Sequence, residues 1–402
     1  MLSYRKLAMR VLGRPLHTGG NDSPRPASQR AAAFALTAAM LITLAAPAFA
    51  GTWYIENGDI TVKASGTEGK NKVSQGNNPE VEDTDTIITN QKTDTASSHT
   101  VTIDAGNDKV EVTLKDVNIK ADSGSALASK GDVTLTLKGD NHLTGGISDT
   151  GNYGRNGIAS TGSLTITGGE NGSLTAQGGS GADGGHGGHG IYSNGSLTIS
   201  GGSTVTANGG NGGNVSGDGI SSNGSVTISG STVNATGGDG SGRSGDGGSG
   251  ITSNGGVTVS GGTVNAKGGS GKNGNGGDGI LSFNPVAISG GTVKSNGGSG
   301  TISGGDGIRS LDHVAISGGT VKSNGGSGNL SGGNGIISND IDLSGSLELT
   351  AKAGSPNGKA LSRVGSELDL NTIKDKLDPG AKVTATDADG KVIQQVSIPR
   401  PV

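Results

Sequence analysis

A column of short polar side chains recurs along the chain: Asn156, His189, Asp218, Ser249, Asp278, Asp306 and Asn334, each two residues before an isoleucine. If these positions stack, Asp278 and Asp306 become neighbours, and like charges so placed repel. A bound Ca2+ relieves that repulsion by taking carboxylate, amide and backbone oxygens, so Asp218, Asp278, Asp306 and Asn334 are the candidate metal ligands. The alternative is that short polar residues satisfy the backbone of a turn and face water. His186 and His189 can hold a transition metal only with further ligands, because two histidines in a glycine loop fall short of a full set.

A second group bears on ligand contact. Sugar recognition stacks aromatic faces on pyranose rings, and after residue 50 the chain offers only Trp53, Tyr54, Tyr153, Tyr192 and Phe283. Tyr192 follows its isoleucine by one residue, so strand alternation turns it outward. The same column carries Ala128, Ala159, Ser221, Thr252, Leu281, Arg309 and Ile337, and the column two residues on reads Lys130, Thr161, Asn194, Asn223, Asn254, Phe283, Leu311 and Asn339. Both become apolar near the end, so Leu281, Phe283, Leu311 and Ile337, edged by Arg309, form an expected contact patch. The competing expectation is that a loop or the C-terminal segment covers it. Serines at 129, 160, 193, 222, 253, 282, 310 and 338 point inward as a hydroxyl stack; no recurring His–Asp pair accompanies them, so they read as structural. Outward Thr165, Thr198, Thr227 and Thr258 make a hydroxyl array that lapses at Ala287 and Ala315.

What positions these columns is a repeat. Apolar anchors fall at Leu127, Ile158, Ile191, Ile220, Ile251, Ile280, Ile308, Ile336 and Leu361, in steps of 31, 33, 29, 31, 29, 28, 28 and 25 residues. A second apolar pair follows six and eight residues later, as in Val286 and Ile288, and a third segment supplies Leu174, Val205, Val233, Val264, Val293, Val321 and Leu347. Three short strands of period two, parted by Gly, Asn and Ser turns, predict an all-β, right-handed three-sided parallel β-helix of about nine to ten rungs. The 81 glycines, 30% hydrophobic content and 2% aromatics then make sense, since each rung buries only a thin apolar stripe. Disorder is rejected, because alternation in phase over eight rungs has no cause in a random coil.

The termini divide the chain into four parts. Residues 1–50 read as a signal peptide with a long basic leader: Arg5 to Arg30, an apolar run at 31–44, and Ala48-Phe49-Ala50, with cleavage after Ala50. Removing them leaves 24 of the 30 basic and 33 of the 34 acidic side chains, a net charge of −9, which argues against nucleic acid and anionic membranes. Nothing after residue 50 is a membrane-spanning candidate, and no cysteine supplies a disulfide or a thiolate site. Residues 51–100 read as an N-terminal cap with a first irregular rung, 101–363 as the β-helix, and 364–402 as a C-terminal cap. In that cap, Asn371 starts a short helix to Leu377, and Asp389-Gly390 turns a hairpin between Val383 and Val396.

The strings Val101-Thr102-Ile103, the run from Lys109 to Ile119, Ser125-Ala126-Leu127, Leu135-Thr136-Leu137-Lys138-Gly139-Asp140-Asn141 and Asn156-Gly157-Ile158 resemble bacterial secreted proteins with a carbohydrate-binding parallel β-helix. Gly-Ser-Leu-Thr-Ile and Gly-Gly-Thr-Val continue the resemblance to about residue 351. It implies relatives that bind cellulose or pectin, related in fold to polysaccharide lyases, some with bound calcium. Similar strings occur in adhesin-like surface proteins. No lyase motif of clustered Asp with a Lys or Arg base matches, so no catalytic residue is carried over.

The expectation is an exported, extracellular, cell-surface or periplasmic solenoid that binds a polysaccharide or surface glycan without catalysis. The other readings are a structural or adhesive surface protein that binds a protein partner, and a polysaccharide lyase.

Overall fold

The computed structural model describes residues 50–148 and 150–402; the expected leader, the apolar run and, apart from Ala50, the expected cleavage signal lie outside the described residues. The chain is all-β, with parallel stacked strands winding a β-solenoid of about ten turns. Each rung, named here by its anchor residue, has three strands. In rung 158 they are Ile158–Ser160, Leu164–Gly168 and Ser173–Gln177. The first two belong to one bent sheet and the third to a second sheet across the core.

Register is strict. Ile158 pairs with Ile191, Leu164 with Leu197 and Leu174 with Val205, and the same matching runs to rung 336. Every anchor isoleucine is buried with no exposed surface. A buried Ile, Leu or Val contributes roughly 1.5–3 kcal/mol, and a one-residue slip would turn all of a strand's apolar side chains to water.

The anchor column extends beyond the expected repeat, through Val101 to Ile60. The first rung is hard to see in sequence because an excursion interrupts it. Ile60–Ala64 runs into the antiparallel strands Asn71–Gln75 and Val81–Asp83 before Ile87–Thr89 resumes the rung. Asp83 pins this cap, accepting from Gly51 N at 2.9 Å and Trp53 Nε1 at 2.7 Å.

At the other end, a 3-10 helix covers Leu370–Lys376 and its cap is Asp369, not the expected Asn371. The Asp369 carboxylate accepts from Asn371 N at 2.9 Å, satisfying an early helical N–H that the Asn371 side chain could not reach from its own position. The hairpin is as read, with Val383 opposite Val396 and Gly390 at φ +84° in its turn.

The glycine-rich stretches between the third strand and the next anchor are more than loops of variable length. In rung 191, residues 209–212 run outward and 216–219 return. Gly209 N and Gly212 N donate to the next rung at Thr236 O and Asp239 O, as do Ser216 N and Gly219 N to Asp246 O and Ser249 O. Donors three residues apart pointing the same way describe an extended three-fold chain of polyproline II type. The middle glycines bond across the pair: Gly217 N to Gly210 O, Gly238 N to Gly217 O, Gly248 N to Gly238 O, and so on to Gly354 N and Gly333 O. A Cβ on Gly217 would collide with Gly188 O, and one on Gly277 with Gly248 O. The glycine content thus builds a two-layer backbone slab that admits no side chain at its centre.

Candidate functional site

The return arm of this slab feeds directly into the anchor strand, so the two sets of candidate residues lie side by side. A column residue and the residue three positions later meet on one face: His189 stacks on Tyr192 with ring centroids 5.9 Å apart, and Arg309 Nη1 lies 3.8 Å from Asp306 Oδ2. The sequence placed no cation beside the acidic column. The structure corrects this, because the turn into the anchor strand brings the Arg309 side chain back over Asp306.

The acidic column itself is a ladder of backbone caps. Asp218 Oδ1 accepts from Ser249 N at 2.8 Å, Asp278 Oδ1 from Asp306 N at 2.7 Å, and Asp306 Oδ1 from Asn334 N at 2.6 Å and Asn334 Nδ2 at 2.9 Å. Asn334 Oδ1 in turn accepts from Lys359 N at 2.9 Å. Each carboxylate therefore supplies the acceptor for an N–H that the slab leaves over. Among the described residues, no group of three or more His, Asp or Glu side chains is placed to hold a metal ion. The four candidate ligands stand in single file with one oxygen each engaged, which does not fit a calcium shell of six or more oxygens.

The electrostatics of the column are uneven. Burial pushes the Asp278 carboxyl up to about 7, and the Asp306 charge adds to it against the hydrogen bond from Asp306 N and the charge of Arg309. Burial also raises Asp306, opposed by its bonds from Asn334 and by Arg309. Asp218 is raised by burial and opposed by His189, whose Nδ1 accepts from Asp218 N at 2.9 Å. His186 stacks on Tyr153, with centroids 5.4 Å apart.

The apolar patch is open. Phe283 is 47% and Leu311 43% exposed, so neither a loop nor the C-terminal segment covers them. Leu281 and Ile337 are partly buried beside them, and Leu281 pairs in register with Arg309, Arg309 with Ile337. Tyr192 stands three rungs away, about 14 Å at the spacing of parallel strands, and its hydroxyl accepts from Asn223 Nδ2 at 3.0 Å. There the face is an amide ladder, Asn223 Nδ2 to Asn194 Oδ1 at 2.7 Å and Asn254 Nδ2 to Asn223 Oδ1 at 3.1 Å.

The inward serines are buried, and from Ser160 onward they bond backbone rather than one another, while Ser129 Oγ has no partner: Ser193 Oγ donates to Gly162 O or Gly195 O, and Ser253 Oγ to Gly224 O or Gly256 O. They hold the corner between the first and second strands. A cleft of about 760 Å³ lies at the N-terminal end, walled by the 65–71 excursion and lined by Lys70, Asp85, Lys109, Glu111 and Asp132. It is polar and has no aromatic wall. Among the described residues no helix is long and apolar enough to cross a membrane. Comparison with protein-family models, with curated proteins and with solved structures found no match.

Proposed function

We propose that the protein is an exported solenoid that binds a polysaccharide, without chemistry, along the anchor-strand face of rungs 280, 308 and 336. The observation that carries this reading is the exposure of Phe283 and Leu311 at positions where rungs 191, 220 and 251 carry asparagine. A solenoid face is straight and periodic, which suits a linear polymer. Phe283 gives the face an aromatic surface for a pyranose ring, with Leu281, Leu311 and Ile337 extending it. Arg309, held against Asp306, leaves donors at the edge for hydroxyl groups. The carboxylates are engaged by backbone N–H groups and Arg309, which favours binding over catalysis.

The test is retention on a panel of immobilised polysaccharides by the wild type and by Phe283→Asn/Leu311→Asn. The reading expects the wild type to be retained on at least one glycan and the variant to elute freely with an unchanged melting curve. Equal retention of both proteins removes it. Capture of a protein partner by the same face, with no glycan bound, supports the adhesive alternative instead.

The lyase reading keeps one supporting observation, Arg309 beside the Asp278–Asp306 pair. It requires that a uronate polymer gain ultraviolet absorbance from unsaturated ends in the presence of the protein and not of Arg309→Gln.

A further inference from the structure

The outward face of the second sheet carries six lysines, and four of them, Lys267, Lys294, Lys322 and Lys352, fall on four successive rungs. In the third strand, Lys294 pairs directly with Lys322. One column over, Lys267 pairs with Asn296, Asn296 with Asn324, and Asn324 with Lys352. Asn324 Nδ2 donates to Asn296 Oδ1 at 2.7 Å, so an amide ladder joins the two outer lysines. Lys267, Lys294 and Lys322 are exposed and Lys352 partly so. Among the described residues none of the four has a carboxylate within 4 Å, as holds for most lysines of the chain; the paired ones are Lys63, Lys70, Lys109, Lys130 and Lys376.

Two lysines directly opposite on neighbouring strands repel, and nothing in the fold needs them there. The same column reads Thr206, Asn234 and Asn265 in the three preceding rungs. The cations therefore replace residues the backbone accepts equally well, on a chain whose charge after residue 50 is −9. An unrelieved positive cluster on an acidic protein is explained when an anion lies across it. The surrounding side chains, Thr263, Thr292, Thr320, Asn265, Asn296 and Asn324, are hydroxyls and amides that bond to sugar hydroxyl groups, and the one carboxylate among them, Glu348, stands opposite Thr320 and in register with Lys382. No aromatic side chain lies there to stack bases and no aliphatic one to enter a bilayer.

We infer that Lys267, Lys294, Lys322 and Lys352 form a binding surface for an acidic polysaccharide, a linear glycan carrying carboxylate or sulfate groups along its length. Rungs recur at about 4.8 Å, so a chain lying along the axis meets a cation at each of four successive rungs. This names a ligand class and rests on the reading of the solenoid as a glycan binder, but it concerns the opposite sheet from the apolar face.

The experiment is affinity electrophoresis and titration of the full protein with alginate, dextran sulfate and unmodified dextran, comparing wild type with Lys294→Asn/Lys322→Asn. Poly-glutamate and a DNA duplex serve as polyanions of other classes. The expected result is binding of alginate or dextran sulfate that weakens with added salt and falls about tenfold or more in the lysine variant. Which of the two binds identifies the acid group. Phe283→Asn/Leu311→Asn retains this binding even if its own ligand is lost, which separates the two ideas. The lysine variant also melts no lower than the wild type, since it loses a repulsion. Equal binding by the lysine variant, loss only in the Phe283/Leu311 variant, preference for poly-glutamate or DNA, or no polyanion binding each overturns the inference.

Discussion

Rungs 191, 220 and 251 and rungs 280, 308 and 336 share a backbone and differ in what they show to the outside. Both sets bury Ile at the anchor and Val or Leu in the strands, and both pack the same glycine slab. On the anchor strand, the earlier set carries the Asn194–Asn223–Asn254 ladder and the later one Phe283 and Leu311. On the second strand Thr198, Thr227 and Thr258 give way to Ala287 and Ala315, and on the third Asn234 and Asn265 give way to Lys294 and Lys322. Three outward columns change together, and the core keeps its apolar anchors but changes at one column, where buried Ala207, Ala235 and Ala266 give way to Ser295 and Ser323, which donate to Gly307 O and Gly335 O. Folding fixes the inward half of each strand most strictly, and under the proposed function the change on the outward half places the binding end in the later rungs.

If the backbone is common to both sets, a change that attacks the backbone should harm them equally. Gly217→Ala and Gly277→Ala each drive a methyl into a carbonyl oxygen of the rung below, Gly188 O and Gly248 O, with backbone on both sides and no room to yield. Each should lower stability by about 3 kcal/mol or more in denaturant unfolding. Gly169→Ala meets nothing within 4 Å and should be close to neutral. A mild effect at Gly277 alone would break the equivalence.

The acidic column distinguishes the sets at the next scale. Only the later rungs put two aspartates in succession, Asp278 and Asp306, facing Arg309; at the matching place before them stands Ser249, with Asp218 and His189 beyond. The folded Asp278 carboxyl keeps its proton up to about pH 7, while in the unfolded chain it loses it near 3.8, so folding takes up a proton between those values. Its stabilising contribution is full below about pH 4 and is lost as pH rises through 7. Thermal melts should fall from pH 5 to pH 8, by an amount on the order of 1 kcal/mol once solvent screening is allowed for. Asp278→Asn keeps the acceptor for Asp306 N and should flatten that slope. Calcium and EDTA should leave the melt in place. A melt that rises with pH, or with calcium, would give the column a different role.

Much of this was legible. Isoleucine every 28 to 33 residues carries the rung, because a buried anchor leaves a hydrophobic signal at fixed register. Phe283 and Leu311 were legible for the same reason, as departures from an outward column. The lysine face carries an equal signal in the third strand, where Asn234 and Asn265 become Lys294 and Lys322, a change of charge that hydrophobic periodicity does not register. The glycine slab was not legible from hydrophobic periodicity, since glycine has no side chain to alternate; its trace is the spacing of paired glycines such as 209–210, 237–238 and 268–269. The meeting of Arg309 with Asp306 depends on how the slab turns into the anchor strand, and strand alternation says nothing about that turn.

Hydroxyl-radical footprinting of the protein, alone and bound to a glycan that retains it, tests most directly whether the later rungs are the binding end. Phe283, Leu281, Leu311 and Ile337 should lose oxidation on binding, while Tyr192, in the amide-lined rungs, should keep it. Protection of Tyr192, or of residues around the cleft at 65–71, with Phe283 unchanged, would contradict the account.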